Sequence, residues 1–273
     1  MPRLKMSHEQ FLHYADPNPS GNPVVLLLHG LGATSDSWAA QVPVLVEAGY
    51  RVIAPDARGF GRSTYRGHTS VPAMAADMAE LLRRLEISSA HVVGISMGGT
   101  LALQLALDHS TYVQSLLLAN TFAKLRPDAL SGWLYFALRL LLVHTLGLEA
   151  QARAVVRRIF PRENQDHLRE ALVEQIMQAD PRGYRATMRA LTRFNIEGRL
   201  AEIGVPTLVI TGEKDTTVQP KNQRALAALI PGARQMVIPE AGHAVIVDQP
   251  QVFNRELLKI LEDESRVASP ATG

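Results

Sequence analysis

Short continuous apolar runs alternate with helically spaced ones along most of this chain, and few folds accept that rhythm. The runs are "NPVVLLL" (22–28), "YRVIAPD" (50–56), "HVVGIS" (91–96), "VQSLLLAN" (113–120), "PTLVITG" (206–212) and "ARQMVIP" (233–239). A run apolar at nearly every position suits a strand buried on both faces, the habit of parallel sheets. Helical spacing fills the gaps: "SWAAQVPVLVEAG" (37–49), "VPAMAADMAELLRRLE" (71–86), "GGTLALQLALDHS" (98–110) and "PQVFNRELLKILEDE" (250–264). Strand–helix alternation predicts an α/β fold: a mostly parallel central sheet, helices on both faces and right-handed crossovers.

From about 124 to 199 the rhythm stops. No strand is expected there, only helical runs such as "EAQARAVVRRIF" and "DHLREALVEQIMQAD". The expected domains are therefore a core of residues 1–123 and 200–273 and an all-helical insertion of 124–199. The insertion holds 13 Lys and Arg against 8 Asp and Glu, whereas the remainder holds 15 against 18. A solvated helical surface explains that excess. So does a basic cover over a site for anionic substrates. The basic residues are spread over several helices with no binding motif, so nucleic acid is not an expected partner.

"ALSGWLYFALRLLLVHTLGL" (129–148) has the length of a membrane span, but Gly132, Arg139, His144 and Gly147 interrupt it. It reads as a largely buried helix. The start "MPRLKMSHEQ" has no apolar core after its basic residues, unlike a secretory signal. A cytoplasmic protein is the expectation. With no cysteine in 273 residues, disulfides, thiolate metal sites and cysteine nucleophiles are excluded.

The chemistry is concentrated at strand ends. "GISMG" (94–98) places a serine between glycines where a strand runs into a helix. There the backbone must bend so tightly that Gly94 and Gly98 supply the room a side chain would fill. Ser96 is then a nucleophile, and the Met97 amide stands free at a helix N-terminus. A hydroxyl needs a base. His243, in "PEAGHA", follows the last strand. Asp215, in "TGEKD", follows the one before and is the expected orienting acid, with Glu213 and Asp248 as rivals. The small residues of "HGLGATSDSW" (29–38) let backbone approach a substrate, and the Leu31 amide is the second oxyanion donor expected beside Met97. His29 and Asp56 also follow strands and read as loop-shaping residues.

The motifs "HGLG", "DARGFGRS", "GISMGG", "GEKD" and "AGHA", in that order, resemble the α/β-hydrolase fold across nearly the whole chain. The resemblance implies a Ser96–Asp215–His243 triad and a helical cap inserted after the sixth strand. "GISMGGTLALQLALDHS" and "LLANT" are similar to the group of serine carboxylesterases and 3-oxoadipate enol-lactonases. Ser96 stands where haloalkane dehalogenases and epoxide hydrolases carry aspartate. Ala244 stands where meta-cleavage carbon–carbon bond hydrolases commonly show an aromatic.

The expected activity is that of a serine hydrolase (carboxylesterase type) cleaving short to medium acyl or aryl esters through an acyl-enzyme. The alternatives are an enol-lactone hydrolase, a carbon–carbon bond hydrolase, acyl transfer to an acceptor other than water, and a small-molecule-sensing receptor of the same fold. No metal or organic cofactor is called for, and the partner is a small ester or lactone; a monomer or homodimer is expected. The imidazole must be neutral to act as base, so activity is expected to fall on the acid side of the ordinary histidine range, about 6.5. Trp133, Phe136 and Leu140, with Tyr135, are candidate pocket lining. Arg139 or Arg126 turned inward would favour a carboxylated lactone.

Overall fold

The computed structural model describes residues 2–6, 10–125 and 130–268, without the side chains of 130, 131, 133, 136 and 264–268. Eight strands form one sheet: β1 (Arg3–Lys5), β2 (Phe11–Ala15), β3 (Val24–Leu28), β4 (Arg51–Pro55), β5 (Ala90–Ile95), β6 (Val113–Ala119), β7 (Thr207–Gly212) and β8 (Arg234–Ile238). Their order is β1-β2-β4-β3-β5-β6-β7-β8. β3 to β8 pair in parallel, while β1 and β2 run antiparallel at one edge. The expected α/β sheet is therefore present, with two edge strands that the apolar pattern did not announce. Both are short, and β1 is polar and largely exposed.

The helices around and between the strands are α1 (Val42–Glu47), α2 (Val71–Arg84), α3 (Met97–Asp108), α4 (Leu130–Thr145), α5 (Gly147–Ile159), α6 (Asp166–Met177), α7 (Pro181–Arg193), α8 (Pro220–Leu229), α9 (Val245–Asp248) and α10 (Pro250–Ala268). The single helix expected over 37–49 is in fact two pieces. A 3-10 turn, Ser35–Trp38, is capped by the Thr34 hydroxyl, which accepts from the Asp36 amide at 3.2 Å. α1 then starts afresh, with Pro43 in its first turn, where the missing N–H costs nothing.

Alternate residues of the central strands enter different cores. Leu26 and Leu28 of β3 pack into one, Val25 and Leu27 into the other, all four buried. The first core lies under α2 and α3. The second holds Trp38, Leu45 and Phe253 from the 3-10 turn, α1 and α10. Two-sided burial is why these strands read as continuous apolar runs.

Between β6 and β7 the chain inserts α4 to α7. Ile196 N–H donates to Ala123 O at 3.0 Å, and Lys124 and Asn195 form an isolated antiparallel bridge. The insertion thus leaves and re-enters at neighbouring points. Among the described residues no helix is long and apolar enough to cross a membrane.

Candidate active site

Ser96 follows β5 directly and is the N-cap of α3, at φ 54°, ψ −116°. A non-glycine residue held there costs on the order of 1–3 kcal/mol and persists only where its surroundings fix it. Here they do: Ser96 N–H donates to Ala119 O at 3.0 Å, and the Thr121 hydroxyl donates to Ser96 O at 2.6 Å. The flanking glycines answer to space rather than to φ. A Cβ on Gly98 would stand 1.9 Å from Leu28 O, and one on Gly94 would stand 2.4 Å from Gly98 O. β3 and β5 meet the start of α3 so closely that no side chain fits.

The His243 Nε2 lies 3.1 Å from Ser96 Oγ, and its Nδ1 lies 2.9 Å from Asp215 Oδ2. These partners fix the roles: Nδ1–H donates to the carboxylate and Nε2 accepts from the serine hydroxyl. Asp215 is buried, and its Oδ1 accepts from the amides of Thr217 (2.7 Å) and Val218 (2.9 Å). The rivals stand elsewhere. Exposed Glu213 accepts from the Glu240 amide. Asp248 accepts from the Gly242 amide at 2.7 Å and from Gln165 Nε2 of the insertion at 2.8 Å, steadying the loop that carries the histidine.

Of the two expected oxyanion donors, the Met97 amide opens α3 and the Leu31 amide lies in the loop after β3. Among the described residues neither has an acceptor. A Cβ on Gly30 would stand 3.6 Å from Ser96 Cβ, so this loop runs beside the serine. His29 and Asp56 shape the loops. His29 Nε2 accepts from the Ala57 amide at 2.9 Å, its Nδ1 donates to Gly30 O at 2.8 Å, and burial pushes its pKa down. Burial would raise the Asp56 carboxyl; the amides of Arg62 and Ser35 help outweigh it, and the group lies below the usual carboxylate range.

Asn120 was not anticipated from the sequence. It follows β6, fully buried, at φ 46°. Its amide donates to Gly242 O (2.9 Å) and His243 O (2.7 Å), and its Oδ1 accepts from Gly212 N–H (2.8 Å) and Gln223 Nε2 (3.2 Å). One side chain therefore pins the ends of β6 and β7 to the histidine loop. The available signal was an asparagine closing an apolar strand, since asparagine tolerates the left-handed region better than other non-glycine residues.

A cavity of about 260 Å³ opens over Ser96 and His243 and is roofed by α4, α5 and α6. From α4 it is lined by Gly132, Tyr135 and Arg139, spaced as one helix face. Leu140 is not on that face. It lies one residue, about 100° of turn, past Arg139 and is half-buried against the core. The side chains of Trp133 and Phe136, and all of Arg126, lie outside the described residues. Arg158 of α5, which the sequence did not single out, also lines the cavity. Among the described residues no cluster of histidine, aspartate or glutamate side chains could hold a metal ion.

A strained serine on a strand–helix bend, a buried imidazole and a carboxylate from successive strand ends define a class, and residues 23–250 match the family model for the alpha/beta hydrolase fold. The chain belongs to that family. It is 34% identical to a protein of Variovorax paradoxus named carbamate hydrolase RutD, over 95% of this chain and 98% of that one. It is 29% identical to 3-oxoadipate enol-lactonase 1 of Acinetobacter baylyi, over 86% and 87%. The solved enol-lactonase of Burkholderia xenovorans superposes with a TM-score of 0.87 at 28% identity, covering 96% of this chain and all of that one.

Proposed function

We propose that the chain is a serine hydrolase that cleaves short to medium carboxylic esters through an acyl-enzyme on Ser96. The observation that carries this reading is the unbroken hydrogen-bond line from Ser96 through His243 to Asp215 under a roofed cavity. His243 Nε2 takes the hydroxyl proton as Oγ attacks the ester carbonyl. The carbonyl oxygen becomes an oxyanion held by the amides of Leu31 and Met97. The tetrahedral centre collapses, and the alcohol leaves with the proton from His243. Water, activated by the same imidazole, then releases the acid and restores the serine. Asp215 holds the tautomer and offsets the imidazolium charge. In this reading residues 124–199 are a cap over the body of 1–123 and 200–273.

A lactone or carbamate carbonyl can be attacked in the same way, in keeping with the relatives named enol-lactonase and carbamate hydrolase. The experiment is turnover of a 4-nitrophenyl ester series, acetate through palmitate, beside Ser96→Ala and an enol-lactone. A cavity of about 260 Å³ predicts an optimum among the shorter chains, with turnover lost in Ser96→Ala. Equal rates in Ser96→Ala and the unmodified protein would end this reading.

A further inference from the structure

The charges along the cavity are of one sign. Its described lining contains Arg139 and Arg158 besides His243, and no aspartate or glutamate. Arg139 is buried, at 8% exposure. Its side-chain partners are neutral: the Tyr184 hydroxyl at 3.5 Å and, with the Gln151 amide correctly oriented, the Gln151 carbonyl at 2.7 and 2.9 Å. Arg158 donates to Thr216 O, next to Asp215 in sequence, and its Nε is buried with no partner. Neither arginine has an ion-pair partner among the described residues, although cap arginines elsewhere, such as Arg153 and Arg169, do.

Both guanidiniums lie over the Tyr135 ring, with Cζ at 5.9 Å for Arg139 and 4.4 Å for Arg158 from its centroid. The ring face attracts each cation, but the two cations repel one another. The Tyr135 hydroxyl is likewise buried and unpartnered. Placing two like charges in a mostly apolar enclosure is costly unless an anion joins them. Planar guanidiniums match a carboxylate in shape and donor spacing.

We propose that Arg139, Arg158 and the Tyr135 hydroxyl form a subsite for a carboxylate carried by the substrate, separate from the carbonyl that Ser96 attacks. The proposal rests on the hydrolase reading and narrows it to short monoanionic acyl substrates, such as half-esters of small dicarboxylic acids or carboxylated lactones. The two arginines come from the cap and the nucleophile from the body, so the subsite fixes the substrate across their junction.

The test compares two substrates of similar length, mono-4-nitrophenyl glutarate and 4-nitrophenyl valerate. The unmodified protein should favour the charged ester in kcat/KM by about tenfold or more, the scale of a hydrogen bond to a charged group. Arg158→Gln should reduce that ratio about tenfold, and Arg158→Lys should restore part of it. Arg153→Gln, at an exposed site outside the cavity, should leave the ratio unchanged. Binding of glutarate to Ser96→Ala by calorimetry, with and without Arg158→Gln, reads the subsite without turnover. It also stands in for Arg139→Gln should that buried change unfold the protein. No preference for the charged ester, or an unchanged ratio in Arg158→Gln, would overturn the subsite. Glutarate binding that depends on Arg158 in a protein that turns over neither ester would sustain the subsite and defeat the hydrolase reading instead.

Discussion

Asn120→Asp is the sharpest probe of how this site is held. The change is nearly isosteric, and aspartate also tolerates a left-handed φ, so the backbone at 46° need not move. What changes is hydrogen bonding. The two donated bonds, to Gly242 O at 2.9 Å and His243 O at 2.7 Å, become contacts between oxygens. The accepted bond from Gly212 N–H survives. Leaving a buried acceptor unsatisfied costs about 1–3 kcal/mol. Two such losses come to roughly 4 kcal/mol, a large share of the 5–15 kcal/mol that typically holds a domain together. Protonation of the new carboxyl restores one donor, so the penalty should shrink as pH falls. His243 loses the anchor on its own carbonyl. Misplacement on the order of 1 Å at a reacting group costs about a hundredfold in rate, and the loss should appear in kcat more than in KM. Urea unfolding at pH 7.5 and 5.5, with ester kinetics at the higher pH, reads all three effects. A variant within about 1 kcal/mol of the parent, with kcat within a factor of a few, would show that the Asn120 network does not position the histidine.

Two further predictions concern space and charge. Gly98→Ala puts a Cβ 1.9 Å from a backbone oxygen and should cost at least about 3 kcal/mol together with ester turnover; Gly49→Ala, at φ 89° with open space around it, should cost only about 1–2 kcal/mol. Equal melting shifts in the two would refute the steric argument. Burial holds the His91 imidazole down at about 4, so the unfolded chain binds a proton near pH 6.5 that the folded chain refuses. Stability should therefore fall from about pH 7 to pH 4, by roughly 3 kcal/mol on this account. His91→Val should flatten that part of the profile, and parallel denaturation curves for variant and parent would contradict the assignment.

The parallel sheet was legible because burial on both faces leaves no polar alternation to confuse with anything else. Ser96 was legible for a steric reason: its bend admits only glycine at 94 and 98, and the sequence displays it. His243 and Asp215 followed from their places after the last two strands. What stayed hidden depends on side chains meeting across the fold. β1 has only three residues, two of them charged, and β2 has no helical run between it and β3 to mark it as part of the strand–helix rhythm. On α4 the sequence offered Tyr135, Leu140 and an inward Arg139 without choosing among them, because a helix apolar on most of its circumference shows no single stripe; Tyr135 and Arg139 line the cavity, and Leu140 lies one residue past that face. Asn120 resembles any strand-end asparagine until the histidine loop arrives to accept its bonds.

The closure between Lys124 and Asn195 has a bearing on how such a protein diversifies. To the body, some seventy residues count as little more than a tight turn, because their ends are already clasped. The entropic toll of the excursion grows only with the logarithm of its length. Helices there can lengthen or shift while the clasp and the strand ends stay in register, so long as Gln165 still reaches Asp248 and Arg158 still reaches Thr216 O. Insertion and sheet thus occupy separate stretches of one gene, and the first can be rewritten around the few contacts it makes to the loops of the second.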